Sequence, residues 1–253
     1  KTVVIEKSPA ATILYNTPTK NAKELVCSNH FQSSFFEKNE DNLTAKKQTS
    51  TVHRYKRMNE LLTAEKQLDV ADAVAILRDL KGIGNQEIGL GNEMALNQLQ
   101  AHHSIIFKPE KLEIWVSTRH WQLGEFIHYN LKDIFDKKKH STTPIPFFDK
   151  ENTIAADSII FTNKFNNYLI FRKLSKDIKK VIDSKLTLKS ETLEYFTTLN
   201  PDHFETWSLL GRYFKMKNDC EKAVKYFDLA LTNAIPWEKD KEEILEWKKE
   251  CLK

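Results

Sequence analysis

Leu25-Val26-Cys27-Ser28-Asn29-His30-Phe31, followed after a polar loop by Ser50-Thr51-Val52-His53-Arg54-Tyr55-Lys56-Arg57-Met58, is the stretch from which the fold is read. The first piece reads as a short apolar strand, Glu24 to Cys27, that delivers an amide and an imidazole to its end. The second opens a helix. Ser50 or Thr51 suits its cap, and Tyr55, Met58, Leu61 and Leu62 recur at three- and four-residue steps as one apolar face. Arg54 and Arg57 are three apart, so one helical turn can bring both toward the strand end. An amide there can donate to a developing oxyanion, and a guanidinium can hold a thiolate or carboxylate by a forked contact. A capping Asn and a solvated basic helix account for the same residues without chemistry. Arg57 is read as ordinary surface charge, Cys27 as a buried, inert thiol. Glu37 to Gln48 is polar without apolar periodicity and reads as a surface loop.

Toward the N-terminus, Thr2 to Ile5 and Ala11 to Tyr15 suit strands, stopped by Ser8-Pro9 and Asn16-Thr17-Pro18. Phe31, Phe35 and Phe36 are expected in the core or a pocket wall. Toward the C-terminus, Asp69 caps a helix to Leu80 with Val70, Val74 and Leu77 inward. Lys81 to Gln100 then holds Gly82, Gly84, Gly89 and Gly91, at spacings that exclude a dinucleotide fingerprint. A mobile loop beside the active site is expected there. His102-His103 would point to opposite sides of a strand, so no shared metal is expected.

Ser104 to Phe107, the turn Lys108-Pro109-Glu110-Lys111 and Leu112 to Ser117 predict a β-hairpin. Its apolar side chains are Ile105, Phe107, Leu112, Ile114 and Val116. Phe126 to Phe135 is expected to leave the sheet. Ser141 to Pro146 reads as a linker or crossing loop, beyond which strand signals vanish. Asp157 or Ser158 caps a helix to about Ser184, with Ile160, Tyr168, Phe171 and Ile178 apolar, and Ser190 to Leu199 is another, closed by Asn200-Pro201. Phe204 to Trp237 resembles a tetratricopeptide repeat. Trp207, Leu210, Gly211, Phe214, Ala223, Phe227 and Ala230 fall at that motif's spacings, with Pro236 about one place late. Glu238 to Leu252 would close it.

The 253 residues carry 29% charged and 40% hydrophobic side chains and a net charge of +4, a soluble, globular balance. Lys137-Lys138-Lys139 lacks interleaved aromatics, which argues for a solvated loop and against nucleic acid. No apolar run approaches transmembrane length. Three scattered cysteines, Cys27, Cys220 and Cys251, argue against a disulfide framework and a zinc site.

The ordered set Val3-Val4-Ile5-Glu6-Lys7-Ser8-Pro9, Ser28-Asn29-His30-Phe31, Ser50 with Arg54 and Arg57, Ile76-Leu77-Arg78-Asp79 and Gly124 resembles the isopenicillin-N acyltransferase (acyl-coenzyme A:6-aminopenicillanic acid acyltransferase) family. These are N-terminal-nucleophile hydrolases related to the choloylglycine hydrolases, and the resemblance covers roughly Lys1 to Phe126. It implies that an N-terminal Cys, freed by self-cleavage, attacks an amide or thioester carbonyl with its own α-amino group as base. It makes Asn29 the oxyanion donor and Arg54 the residue that positions the nucleophile. His30 and Ser50 match the motif without a defined chemical role. No cysteine here stands at the nucleophile's place, so the resemblance puts it on a segment upstream of Lys1, with the nearby acid and any targeting signal. No cofactor and no metal are implied.

The expected fold is therefore α+β. Residues 1–147 would form the C-terminal portion of an αββα N-terminal-nucleophile sandwich, and residues 148–253 a helical region with one tetratricopeptide-like repeat at about 204–237. The expected function is hydrolysis or acyl transfer on a non-peptide N-acyl amide or thioester, its partners a small-molecule acyl donor and the upstream segment. The alternative is a non-catalytic interaction module built on the helical hairpin.

Overall fold

Polar caps, more than apolar runs, decide where many elements of this chain begin. The computed structural model describes residues 3–15, 24–62, 68–135 and 148–253, and these form an α+β fold with two antiparallel sheets and nine helices among them. The linker at 141–146, the lysines at 137–139 and the stop at 16–18 lie outside the described residues.

Strand β1 (Val4–Lys7) pairs with β2 (Thr12–Tyr15), with Ile5 opposite Leu14. The Ser8 hydroxyl closes the turn by accepting from Ala11 N at 3.1 Å. Glu24 to Cys27, expected as a third strand, is irregular backbone. Side chains hold its end instead: the Ser28 hydroxyl donates to the Thr51 carbonyl at 2.9 Å.

The polar stretch expected as a loop is helix α1 (Glu40–Gln48). It has no apolar stripe for a periodicity search to find. Asn39 caps it by accepting from Asn42 N, Glu40 and Asp41 stand at its positive end, and Lys46 and Lys47 at its negative end. Helix α2 (Thr51–Leu62) follows, and α3 (Val70–Leu77) begins as expected at Asp69, whose carboxylate and that of Asp72 form a reciprocal capping box.

The second sheet has the order β3 (Ile105–Lys108), β4 (Glu113–Ser117), β5 (Phe126–Asn130), β6 (Asp149–Ile154). The expected hairpin is β3–β4, and one of its faces is buried. Ile106, Trp115 and Ser117 point inward, and Trp115 and Phe126 pack with Val74 of α3. Ile105, Phe107, Ile114 and Val116 face outward, in line with Ile127 and Tyr129 of β5. Phe126 to Asn130 stays in the sheet between β4 and β6, and the short helix α4 (Leu131–Phe135) follows it. β6 escapes a sequence search because Asp149-Lys150-Glu151-Asn152-Thr153-Ile154 has no apolar alternation. It also ties residues beyond 147 into the same sheet as residues before it.

Beyond the exposed turn at residues 83–87, the glycine-containing segment, expected as a mobile loop, runs through the interior. Ile88, Leu90, Ala95 and Leu99 are buried, and asparagines satisfy backbone groups that no regular element pairs. Asn92 Nδ2 donates to the Ile88 and Ala234 carbonyls, Asn97 Nδ2 to the Trp121 carbonyl, and Asn200 bonds Leu90 through both its amide atoms. Gly89 and Gly91 have φ of 79° and 83°. A Cβ on Gly89 would stand 2.6 Å from His203, and one on Gly91 would stand 2.5 Å from the Tyr168 hydroxyl. Glycine is required by both conformation and space.

A 3-10 turn at Ser158–Phe161, capped by Asp157, precedes helix α5 (Asn163–Asp183), which Thr162 caps separately. Helices α6 (Ser190–Leu199), α7 (Phe204–Met216), α8 (Cys220–Thr232) and α9 (Glu238–Cys251) complete the chain. Tyr168, Phe171 and Ile178 of α5 pack with Phe196, Leu209 and Leu210 in the largest core. Gly211 lets the Phe227 ring approach so closely that a Cβ would meet it at 2.5 Å, and Ala223 and Ala230 keep that contact tight. Among the described residues no helix is long and apolar enough to cross a membrane.

Candidate functional site

The amide of Asn29 is oriented by Arg54. Arg54 Nη2 donates to Asn29 Oδ1 at 2.8 Å. A guanidinium has only donors, so the amide oxygen must face it, and Nδ2 is left as a donor with no hydrogen-bond partner among the described residues. Arg54 is fixed in turn by backbone and amide oxygens. Its Nη1 donates to the Glu93 carbonyl at 2.7 Å, and Gln98, with its amide oxygen toward the guanidinium, accepts from Nε at 3.2 Å. Among the described residues no carboxylate forms an ion pair with Arg54. Burial lowers its pKa and the nearby Glu93 opposes that shift.

Asn29 opens on a cleft of about 510 Å³. Strand β1 forms one wall, the segment Cys27–Phe31 the other, and Asp41, Asn42 and Ala45 of α1 line it as well. The edge of β1 away from β2 has no strand partner among the described residues. Asn42 shapes the wall by accepting from Phe31 N at 2.9 Å and donating to the Phe31 and Phe36 carbonyls. Buried Glu6 accepts from the backbone N–H of Gln32 and Ser33, joining β1 to the same loop. Cys27, expected to be buried, is exposed in this wall, with its thiol toward the Ser28 carbonyl.

His30 stands beside Asn29 but faces α2. Its Nδ1 lies 2.9 Å from the Thr51 hydroxyl, which also bonds Ser28 Oγ at 2.8 Å. Burial first, and then Lys46, lower its pKa. The imidazole therefore anchors the Ser28–Phe31 turn to the start of α2. Ser50 makes no cap: its hydroxyl donates to the Pro236 carbonyl at 2.5 Å, tying α2 to the helical region.

Arg57 overturns its expected place on the surface. It is 2% exposed and forks onto Asp79 through Nε at 2.9 Å and Nη2 at 2.8 Å, with Glu60 and Asn85 as further partners. These contacts, Asp79 first, raise its pKa despite the burial. Arg78 donates to the carbonyls of Gln122, Gly124 and Ala155 and lies over the Phe126 ring. The Leu77-Arg78-Asp79 motif thus braces the fold and does not reach the cleft.

Sequence reasoning missed Glu6, Asn42 and Thr51, which position the Asn29 turn. Only their polarity next to apolar residues could have marked them. His102 and His103 lie on irregular backbone before β3, and no group of three potential metal ligands occurs among the described residues. Comparison with protein-family models, with curated proteins and with solved structures finds no match for this chain.

Proposed function

We propose that this chain belongs to an autoproteolytic amide hydrolase or acyltransferase, with Asn29 as the oxyanion donor. The observation that carries this reading is an amide whose oxygen Arg54 holds and whose Nδ2 has no partner among the described residues, at a cleft beside the β1 edge that no described strand pairs. The substrate is a non-peptide N-acyl amide or thioester. The nucleophile is an N-terminal cysteine on a segment preceding Lys1 of this chain. Its thiol attacks the carbonyl as its α-amino group takes the thiol proton, and Asn29 Nδ2 donates to the tetrahedral oxygen. Collapse expels the amine or thiol, which receives that proton from the α-ammonium, and water or an acceptor amine, deprotonated by the same α-amino group, then takes the acyl group and restores the thiol. Arg54 holds the amide in register and places an unpaired positive charge beside the developing anion. The outward apolar row of Ile105, Phe107, Ile114, Val116, Ile127 and Tyr129 supports the αββα sandwich, because a second sheet layer would cover it.

Asn29→Ala in the protein that carries the upstream segment tests this. Turnover of an N-acyl amide should fall on the order of a hundredfold or more, at an unchanged melting temperature. Turnover at the wild-type rate would remove the assignment.

The tetratricopeptide-like reading of residues 204–237 rests on the small residues Gly211 and Ala223 at the α7–α8 contact. In that reading the hairpin, closed by α9, braces the catalytic part, and as a stand-alone adaptor it is the alternative function.

A further inference from the structure

A second cleft, of about 640 Å³, lies between α5, the buried segment at residues 90–100 and the N-terminal ends of α7 and α9. We propose that it binds a short peptide with free ends, the carboxylate held at Arg172 and the ammonium at Asp240. Its volume is in the range of small-ligand sites.

The wall formed by α5 sets the length scale. Arg172 and Lys179 both line the cleft, and a rise of about 1.5 Å per residue separates them by about 10 Å along the axis. At the first end the Arg172 guanidinium lies over the Trp121 ring at 4.6 Å and near Tyr168 at 5.9 Å. Among the described residues no carboxylate pairs with it. The aromatic faces hold this cation in place without neutralising it.

The second end has the opposite imbalance. Lys179 is paired with Glu205, and the Glu93 carboxylate accepts from Trp237 Nε1 at 2.6 Å and from Gln100 at 3.2 Å. Asp240 is the carboxylate left over. It is half-buried and has no hydrogen bond or ion pair among the described residues. Burial raises its pKa, Glu243, Glu93 and Glu205 raise it further, and Lys179 opposes them only in part, so the field at Asp240 is net negative. A cation there would relieve that repulsion.

Arg172 at one end and Asp240 at the other, each without an ion pair among the described residues, fit a ligand that carries both charges, whereas Lys176, which also lines the cleft, is exposed to solvent. Asp240 lies within Coulombic reach of Lys179, and an extended chain, advancing about 3.3–3.6 Å per residue, covers the α5 rise from Arg172 to Lys179 with about three residues. Ser175, on the same wall, has a buried hydroxyl with no partner among the described residues, which rotation about χ1 can offer to a backbone amide of the peptide. A simple carboxylate or a simple amine would match one end and leave the other charge unmatched.

Calorimetric titration with Gly-Phe-Gly, its N-acetyl form and its C-amide form tests the proposal directly. The free peptide should bind, and blocking either end should weaken it about tenfold, as for the loss of a charge-assisted contact. Asp240→Asn should abolish the penalty for acetylation and keep the penalty for amidation. Arg172→Gln should do the reverse, and Arg172→Lys should restore part of the preference for a free carboxylate. Each variant's melting temperature confirms that it is folded. Equal binding of free and blocked peptides, no binding of the free peptide, or end preferences that ignore these variants would overturn it.

Discussion

The helical region and the β3–β6 sheet treat their apolar residues differently. In α5 to α8 the periodic positions Tyr168, Phe171, Ile178, Phe196, Leu210 and Phe227 are all buried. In the sheet one apolar face is covered by α3, while the other leaves Phe107 65% and Ile105 41% exposed. A helix with a single apolar stripe can bury only that stripe. A strand that is apolar on both faces gives period-2 alternation no means to tell inside from outside. The apolar side chains of the hairpin therefore leave its buried face open, and the inward pair, Ile106 and Trp115, is decided by the helix packed against them.

The largest test of the contrast lies outside both cores. Arg57→Ala leaves the largely buried Asp79 carboxylate, 12% exposed, without its fork and should cost about 3 kcal/mol in chemical denaturation. A cost near zero would return Arg57 to the surface role that its sequence context suggests. Within the helical region, His203 is buried and caps α7 by accepting from Glu205 N. Burial lowers its pKa to about 4 from the ordinary value near 6.5. The folded protein resists a proton that the unfolded chain accepts, so this contribution is intact above pH 6.5 and is lost as pH falls to about 4. The loss is about 3 kcal/mol. His203→Asn keeps a capping acceptor and should flatten that part of the stability–pH curve. An unchanged slope would show that other groups produce it.

Smaller effects sharpen the comparison further. Gly211→Ala pushes a methyl against the Phe227 ring and should cost about 1–3 kcal/mol, read as a lower melting temperature. Phe107→Ser, on the open sheet face, should change stability by less than about 0.5 kcal/mol while raising solubility. A large loss there would mean that the outward face is covered in the isolated chain.

The candidate site divides along the same line. Asn29 and Arg54, singled out through the family resemblance, do meet, at 2.8 Å. The strand expected to carry Asn29 is absent, and the turn is held by Asn42, Thr51 and Glu6, whose roles depend on partners 11 to 27 residues away. Helix α1 was invisible because a cap and end charges build it, and β6 because pairing with β5 and partners distant in sequence, Trp115 and His128, place it.

By itself the sequence determined the local elements whose signal is periodic or capped: α3 from Asp69, the β3–β4 hairpin, α6, and the α7–α8 pair with its small residues at the contact. Tertiary structure alone decided which sheet face is buried, that Arg57 is internal, and that the glycine-containing segment threads the core. These outcomes turn on desolvation and on partners distant in sequence. A charge or a strand face goes inside only when another part of the chain supplies what water would otherwise provide.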